Sequence, residues 1–364
     1  MPGGMDLKNE VLVNSTCALC GACLDWCPYI ANLEDHLVLR FDCNVADGRC
    51  YSVCPRTFTD WQAVRAKYLP DVPENYEIGP YLEVCRTKAA HPVDGQQDGG
   101  TVSRLLQTLL EDQTVTAVLL TGSDDHLTPQ PFLSGAADAV AQAAGSRFLA
   151  SPGLRKIIEA EKNGVGQLAV VGRPCQIQVL RKLDFNRPDA KPPLEILAIG
   201  LFCMWSLDWR FKDYLRSQFP GEEITGIAIP QHGVEVATDR GVHSLPAQEV
   251  KQFIKPGCGY CMDMTAELAD LSVGAFEPEK GWNTVLVRTR KGQELLQRAL
   301  EQGKLERADY PTGELQRLQG AALGKKQRGL EAARTAFAGG VKPFIDLENK
   351  WSQQVKNLAE GAVK

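Results

Sequence analysis

The chain has 364 residues and a mass of 39.9 kDa, long for one core, so two or three structural units are expected. Hydrophobic residues make up 44% and charged residues 23%, ordinary values for a globular protein. A net charge of -5 and a pI near 5.7 give no basic field. That argues against nucleic acid as a partner, because binding it takes clustered Lys and Arg to displace counterions.

The longest apolar run, EILAIGLFCMW, contains Glu195 and falls well short of the roughly 20 residues of a spanning helix. No integral membrane span is expected, and membrane attachment would be peripheral, through partners. The opening MPGGMDLKNEVLV lacks the basic region and apolar core of an export signal. A cytoplasmic location is therefore expected, where the twelve cysteines point to metal or catalysis before disulfides.

The first segment, residues 1–62, carries the densest signal. In CALCGACLDWCPYI, Cys17, Cys20, Cys23 and Cys27-Pro28 give C-x2-C-x2-C-x3-C-P, the run of bacterial ferredoxins. Zinc sites instead usually show two separated pairs. Three close thiolates wrap one 4Fe–4S cluster, and the fourth reaches a second. The later run FDCNVADGRCYSVCPR supplies Cys43, Cys50 and Cys54-Pro55. By ligand exchange, Cys54 completes the first cluster beside Cys17, Cys20 and Cys23. The second receives Cys27, Cys43 and Cys50 and is one thiolate short. Aligned on GRC, the missing position falls on Asp47. A carboxylate ligand from Asp47, a three-iron cluster, and a distant thiolate such as Cys85 are the open outcomes; otherwise Asp47 only caps a turn.

Residues 63–77 read as a linker, around the Pro-bearing YLPDVPENYEIGP. From residue 78 to 221, α/β alternation follows: helix GGTVSRLLQTLLED, strand VTAVLLTG, helix AADAVAQAAG and strand QLAVVG. The last runs through Arg173-Pro174 into helix CQIQVLRKL, and Pro174 suits a first helical turn. Strand LEILAIGLFC and helix SLDWRFKDYLRSQF complete the series. Such alternation predicts a mainly parallel sheet covered on both faces. The fold class is thus α+β / α/β, a ferredoxin-like segment followed by an α/β body. Short strands ITGIAIP, GVEVATD and GVHSLP open a β-rich part over 222–307, which ends in strand WNTVLVRT and helix KGQELLQRALEQG. A helical tail spans 308–364. A dinucleotide fingerprint is missing, since Gly164 and Gly166 precede a strand instead of following one.

Four body cysteines remain: Cys175 in GRPCQ, Cys203 in GLFC, and Cys258 with Cys261 in PGCGYCMD. Cys175 and Cys203 fall near the carboxyl ends of predicted strands, the rim where parallel sheets build sites. Either the four thiolates form a third cluster, or Cys175 and Cys203 are ordinary buried cysteines and the pair alone is redox-active.

The motifs DGGTVSRLLQTLL, AAGSRF, VVGRPCQIQVLRKL, IGLFC, CGYCMDMTAELADLSVG and GWNTVLVRT resemble, in order, the family of beta subunits of coenzyme F420 hydrogenases and dehydrogenases. The resemblance runs from about residue 78 to 330. It implies FAD besides iron–sulfur clusters, two or three in number. It also implies hydride exchange with the deazaflavin coenzyme F420 in many members, and work beside hydrogenase, formate dehydrogenase or heterodisulfide-reductase modules in others. Flavin contacts implied by the matched motifs are Gly99, Gly100 and Thr101, at a helix N-terminus suited to a pyrophosphate. Gly145, Ser146, Arg147 and Phe148 follow, then Gly172, Arg173, Pro174 and Gln176, and finally Trp282. Two positions depart from the family pattern, Arg173 where GTPCQ is common and Arg147-Phe148 where GSKY is common. The expected function is an oxidoreductase subunit. It passes electrons between a two-electron carrier (the deazaflavin or a nicotinamide) and one-electron iron–sulfur carriers of partner subunits or a ferredoxin. A pure electron relay without its own hydride substrate is the rival, and no general acid or base is singled out.

Overall fold

The structure is a computed structural model describing residues 2–92, 95–123, 125–186, 194–230 and 233–361. Helix α1 (Gly4–Leu7) runs into one wider turn at Lys8–Leu12, ahead of the cysteine run. A hairpin of β1 (Ile30–Leu33) and β2 (His36–Leu39) and the short helix α2 (Arg49–Val53) complete the cysteine-bearing segment. Helix α3 (Trp61–Tyr68) follows, its start capped by Asp60 accepting from Gln62 and Ala63 N–H. It takes up the beginning of the predicted linker.

The body contains β3 (Glu83–Ala89), α4 (Thr101–Glu111), β4 (Ala117–Gly122), β5 (Gln130–Ser134), α5 (Ile157–Lys162), β6 (Gln167–Gly172), α6 (Pro174–Phe185), β7 (Glu195–Leu201) and α7 (Arg210–Gln218). Then come β8 (Ile224–Ala228), β9 (Val234–Thr238), β10 (Gly241–Leu245), α8 (Ala247–Lys251), β11 (Leu271–Ala275), β12 (Asn283–Val287), α9 (Arg290–Glu301) and β13 (Leu305–Asp309). Helices α10 (Thr312–Ala338) and α11 (Lys350–Gly361) fold back over the body. The main sheet has eight strands in the order β13-β3-β12-β11-β7-β6-β4-β5. Its centre, β11-β7-β6-β4, is parallel, and antiparallel strands extend it at both edges.

Central strands read as continuous apolar runs because both faces are covered. Alternation splits their side chains between two cores. Leu168, Val170 and Ala198 pack with Ile177 and Leu180 of α6; Ala169, Leu197 and Ile199 pack with Leu105 and Leu109 of α4 and Leu295 of α9. In the register Gly172↔Gly200 of β6 and β7, both strands deliver their next residues, including Cys175 and Cys203, to one rim. Gly200 lets the segment before β11 come close, since a Cβ there would sit 2.3 Å from the Ala266 Cβ.

Several elements differ from the sequence reading. AADAVAQAAG forms a 3-10 run over Asp138–Ala143 instead of an α-helix. Of the predicted β-rich part, β8–β10 make a separate three-stranded sheet, while β11 and β12 join the main sheet. Strands β3 and β13 add an edge the sequence reading lacked. Cys85 lies in β3 with no exposed surface, its charged neighbours being Glu83, Arg307 and Asp309. It is therefore a core residue and not a ligand for the second N-terminal cluster. Among the described residues no helix is long and apolar enough to cross a membrane.

Candidate redox site

The chain brings the N-terminal cysteines together in two groups. Cys17, Cys20, Cys23 and Cys54 converge. Burial and then the neighbouring thiols raise the proton affinity of Cys17, to about 11, and of Cys20 and Cys23 still further. A second group forms around Cys50, raised by burial and by Cys27 and Cys43. Its three cysteines are all half-buried. The N-terminus closes against it: a Cβ on Gly4 would lie 3.1 Å from Cys43 Sγ, and one on Gly48 3.2 Å from Cys50 Sγ. Asp47 stands exposed beside this group with a φ of 60°, a left-handed conformation that Asp tolerates better than most residues.

Cys175, Cys203, Cys258 and Cys261 make the third group. Burial raises Cys175, against Arg173 and with the help of Cys261 and Cys258. Burial lifts Cys203 to about 12, with Lys325 and Arg173 opposing. Burial acts the same way on Cys261, but there Lys325 and Arg56 outweigh it and hold the thiol below its usual value.

Among the described residues no group of three or more His, Cys, Asp or Glu could hold a single metal ion. A mononuclear site draws its ligands to within about 2.3 Å of one point, whereas a cluster gives each iron its own thiolate and spreads the sulfurs. Soft thiolates gathered in groups suit iron–sulfur clusters. Backbone N–H groups already point at sulfur: Leu19 to Cys17, Tyr29 to Cys27 and Arg56 to Cys54 at 3.4 Å each, and Ser206 to Cys258 at 3.3 Å. Such bonds help to set a cluster's potential.

The first and third groups adjoin. A Cβ on Gly257 would lie 2.2 Å from the Cys17 carbonyl oxygen, and Cys175 raises the proton affinity of Cys20. The ferredoxin-like segment is also pinned to the body elsewhere. Leu154 N–H donates to Cys20 O at 2.9 Å, Arg155 holds Asp25 at 2.9 and 3.0 Å, and the buried Lys255 donates to Asp35 O at 2.6 Å. The buried cations Arg56, Lys182, Lys255 and Lys325 were not singled out from sequence, where Lys and Arg read as surface residues. Arg56, directly after Cys54-Pro55, was the one with a positional hint.

The flavin motifs are partly brought together. Gly100 caps α4 with a φ of 69°, and a Cβ on Gly99 would be 2.6 Å from Asn283 Oδ1. Thr101 is turned inward: its N–H donates to Asn283 at 3.2 Å and its hydroxyl meets that of Thr87 at 2.7 Å. Trp282, beside Asn283, carries Lys88 and Arg86 over its ring at 4.9 and 5.1 Å. Ser146 N–H donates to Gln97 at 2.9 Å, which joins the turn at Gly145–Phe148 to the loop before α4. At the other turn, Gln176 accepts from Arg173 N–H at 2.9 Å, after Gly172 and with Pro174 in the first turn of α6. The Arg173 guanidinium reaches Ser206 and the Ser151 carbonyl and faces Cys175, Cys203, Cys258 and Cys20. Arg147 Nε and Ser151 Oγ are buried without a hydrogen-bond partner. Each such orphan costs about 1–3 kcal/mol, and both are donors that a polar, anionic ligand would satisfy.

The chain thus combines a sheet with a parallel centre, one cysteine group at its rim and two more in the N-terminal segment. Family models for the coenzyme F420 hydrogenase/dehydrogenase beta subunit match here, the N-terminal part over residues 84–157 and the C-terminal part over 165–312. The chain belongs to this family. It is 30% identical over 304 residues to the coenzyme F420-dependent sulfite reductase of Methanocaldococcus jannaschii, a match covering 79% of this chain and 46% of that protein. It thus spans less than half of that relative's length. The coenzyme F420 hydrogenase beta subunit of Methanothermobacter thermautotrophicus is 28% identical over 239 residues, covering 63% of this chain and 85% of its own. A chain of the F420-reducing NiFe hydrogenase complex from Methanosarcina barkeri superimposes with a TM-score of 0.68 and 26% identity, covering 75% of this chain and 98% of that one.

Proposed function

We propose that the chain is a converter between a hydride carrier and one-electron carriers, with the deazaflavin coenzyme F420 as the hydride partner. The observation that carries this reading is the contact between the third and first cysteine groups at Gly257 and Cys17, next to the turns with orphaned polar groups. FAD, when bound, would supply the chemistry that accepts a hydride and releases electrons singly. Arg147 and Arg173 supply cations for its anionic part, and Gln176 locks the turn that presents Arg173. The four thiols of the third group would hold one cluster, and the buried first group a second. The half-exposed Cys27, Cys43 and Cys50 would hold a third, nearest to a redox partner or a ferredoxin.

The names of the relatives favour the deazaflavin over a nicotinamide. Anaerobically purified protein should yield one FAD on acid extraction and lose its visible absorbance on addition of reduced F420, but not of NADH. Bleaching by reduced ferredoxin alone would leave the chain a pure relay. Protein given excess FAD that retains none would remove the flavin from the account.

A further inference from the structure

We propose that Arg56 is a shared tuning residue, one buried guanidinium set between the first and third cysteine groups that raises the reduction potentials of both clusters together. The inference rests on the reading that these two groups hold clusters. Arg56 is 6% exposed. Its Nε donates to Thr16 O at 3.2 Å and its second terminal nitrogen to Gly257 O at 3.1 Å. Those acceptors immediately precede Cys17 and Cys258, so one side chain ties the two ligand loops. The Phe344 ring covers it at 5.6 Å. Among the described residues no carboxylate pairs with it, and a buried charge without a counterion costs several kcal/mol. Arg56 follows Cys54 by two positions and holds the carbonyls just before Cys17 and Cys258, so the anions it would face are the ligands of both groups.

A cluster gains one negative charge on reduction, so a nearby fixed cation in a low dielectric favours the reduced form. Two other buried cations serve one group each. Lys182 donates to Cys54 O at 2.7 Å and faces Cys54 and Cys20. Lys325 donates to Cys203 O at 2.5 Å and faces Cys261, Cys203 and Cys258. The three residues therefore predict a pattern that a merely structural role would not give.

The test is potentiometric electron paramagnetic resonance on anaerobic wild type, Arg56→Gln, Arg56→Lys, Lys182→Gln and Lys325→Gln, with iron measured in each sample. Arg56→Gln should lower both potentials, Lys182→Gln only the first and Lys325→Gln only the third, while Arg56→Lys stays near wild type. An Arg56→Gln protein with full iron in which one or neither potential moves would overturn the inference. If Arg56→Gln loses iron, Arg56→Lys decides, and potentials displaced in that charge-keeping variant would overturn it equally. A wild type without four-iron signals from these two groups would instead remove the proposed function beneath it.

Discussion

Gly257→Ala adds one carbon where the ligand loops leave no room for it. The added Cβ would fall 2.2 Å from Cys17 O, 2.7 Å from Cys17 C and 2.8 Å from Thr16 O. All three are backbone atoms, so no side chain can swing aside; the loops before Cys17 and before Cys258 must separate. Ordinary carbon contacts sit at roughly 3.5–4.0 Å, which requires a shift of more than 1 Å at the tightest point. Overpacking of a tight interior costs about 1–3 kcal/mol and sometimes more. The same shift would stretch the two Arg56 hydrogen bonds, now 3.2 and 3.1 Å. Anaerobic urea unfolding should show the midpoint falling, and iron should be lost from the first and third groups with the second retained. A variant with wild-type iron and midpoint would refute the contact between the two ligand loops.

Cys258→Ser should remove about four irons and leave the N-terminal clusters, because a hydroxyl is a harder and rarely ionised donor to iron; unchanged iron content would return the body cysteines to a packing role. If Asp47 is the missing ligand, mild oxidation should release one iron to give a three-iron signal, and Asp47→Cys should lock the four-iron form. A wild type that never shows the three-iron spectrum, unaltered by the substitution, would assign the position elsewhere. Arg288→Met should destabilise the protein by about 3 kcal/mol or more, since each buried acceptor left unpaired costs about 1–3 kcal/mol. The side chain is fully buried and donates to Ser272, Pro80, Ile78 and Thr265, so its loss orphans several acceptors. A change below about 1 kcal/mol in urea unfolding would contradict this.

The cysteine pairing of the N-terminal segment was legible because ligand spacing in a short loop is a local property. Central strands were legible for a similar reason, since LAVV and ILAIG can only be buried on both faces. Strand β3, EVCRTKA, was not: its charged residues belong to an edge region where side chains reach solvent, and only Cys85 and Thr87 are buried. The convergence of Cys175, Cys203, Cys258 and Cys261 needed the sheet register and the close approach at Gly200, which are tertiary facts. Least legible were the buried cations. Lys325 and Lys326 in GKKQ look like a solvated helix face, yet they lie against Asp263 O and Glu267. Their place depends on α10 folding back over residues far away in the chain.

The proposed electron path runs from the body cysteine group through the first N-terminal group to the half-buried second one. Freeze-quench electron paramagnetic resonance after mixing with reduced F420 tests it most directly, on wild type and Cys258→Ser. Wild type should show reduced N-terminal clusters, whereas Cys258→Ser should still bleach its flavin band but leave those clusters oxidised on the same timescale. N-terminal clusters reduced at the wild-type rate in Cys258→Ser would contradict it.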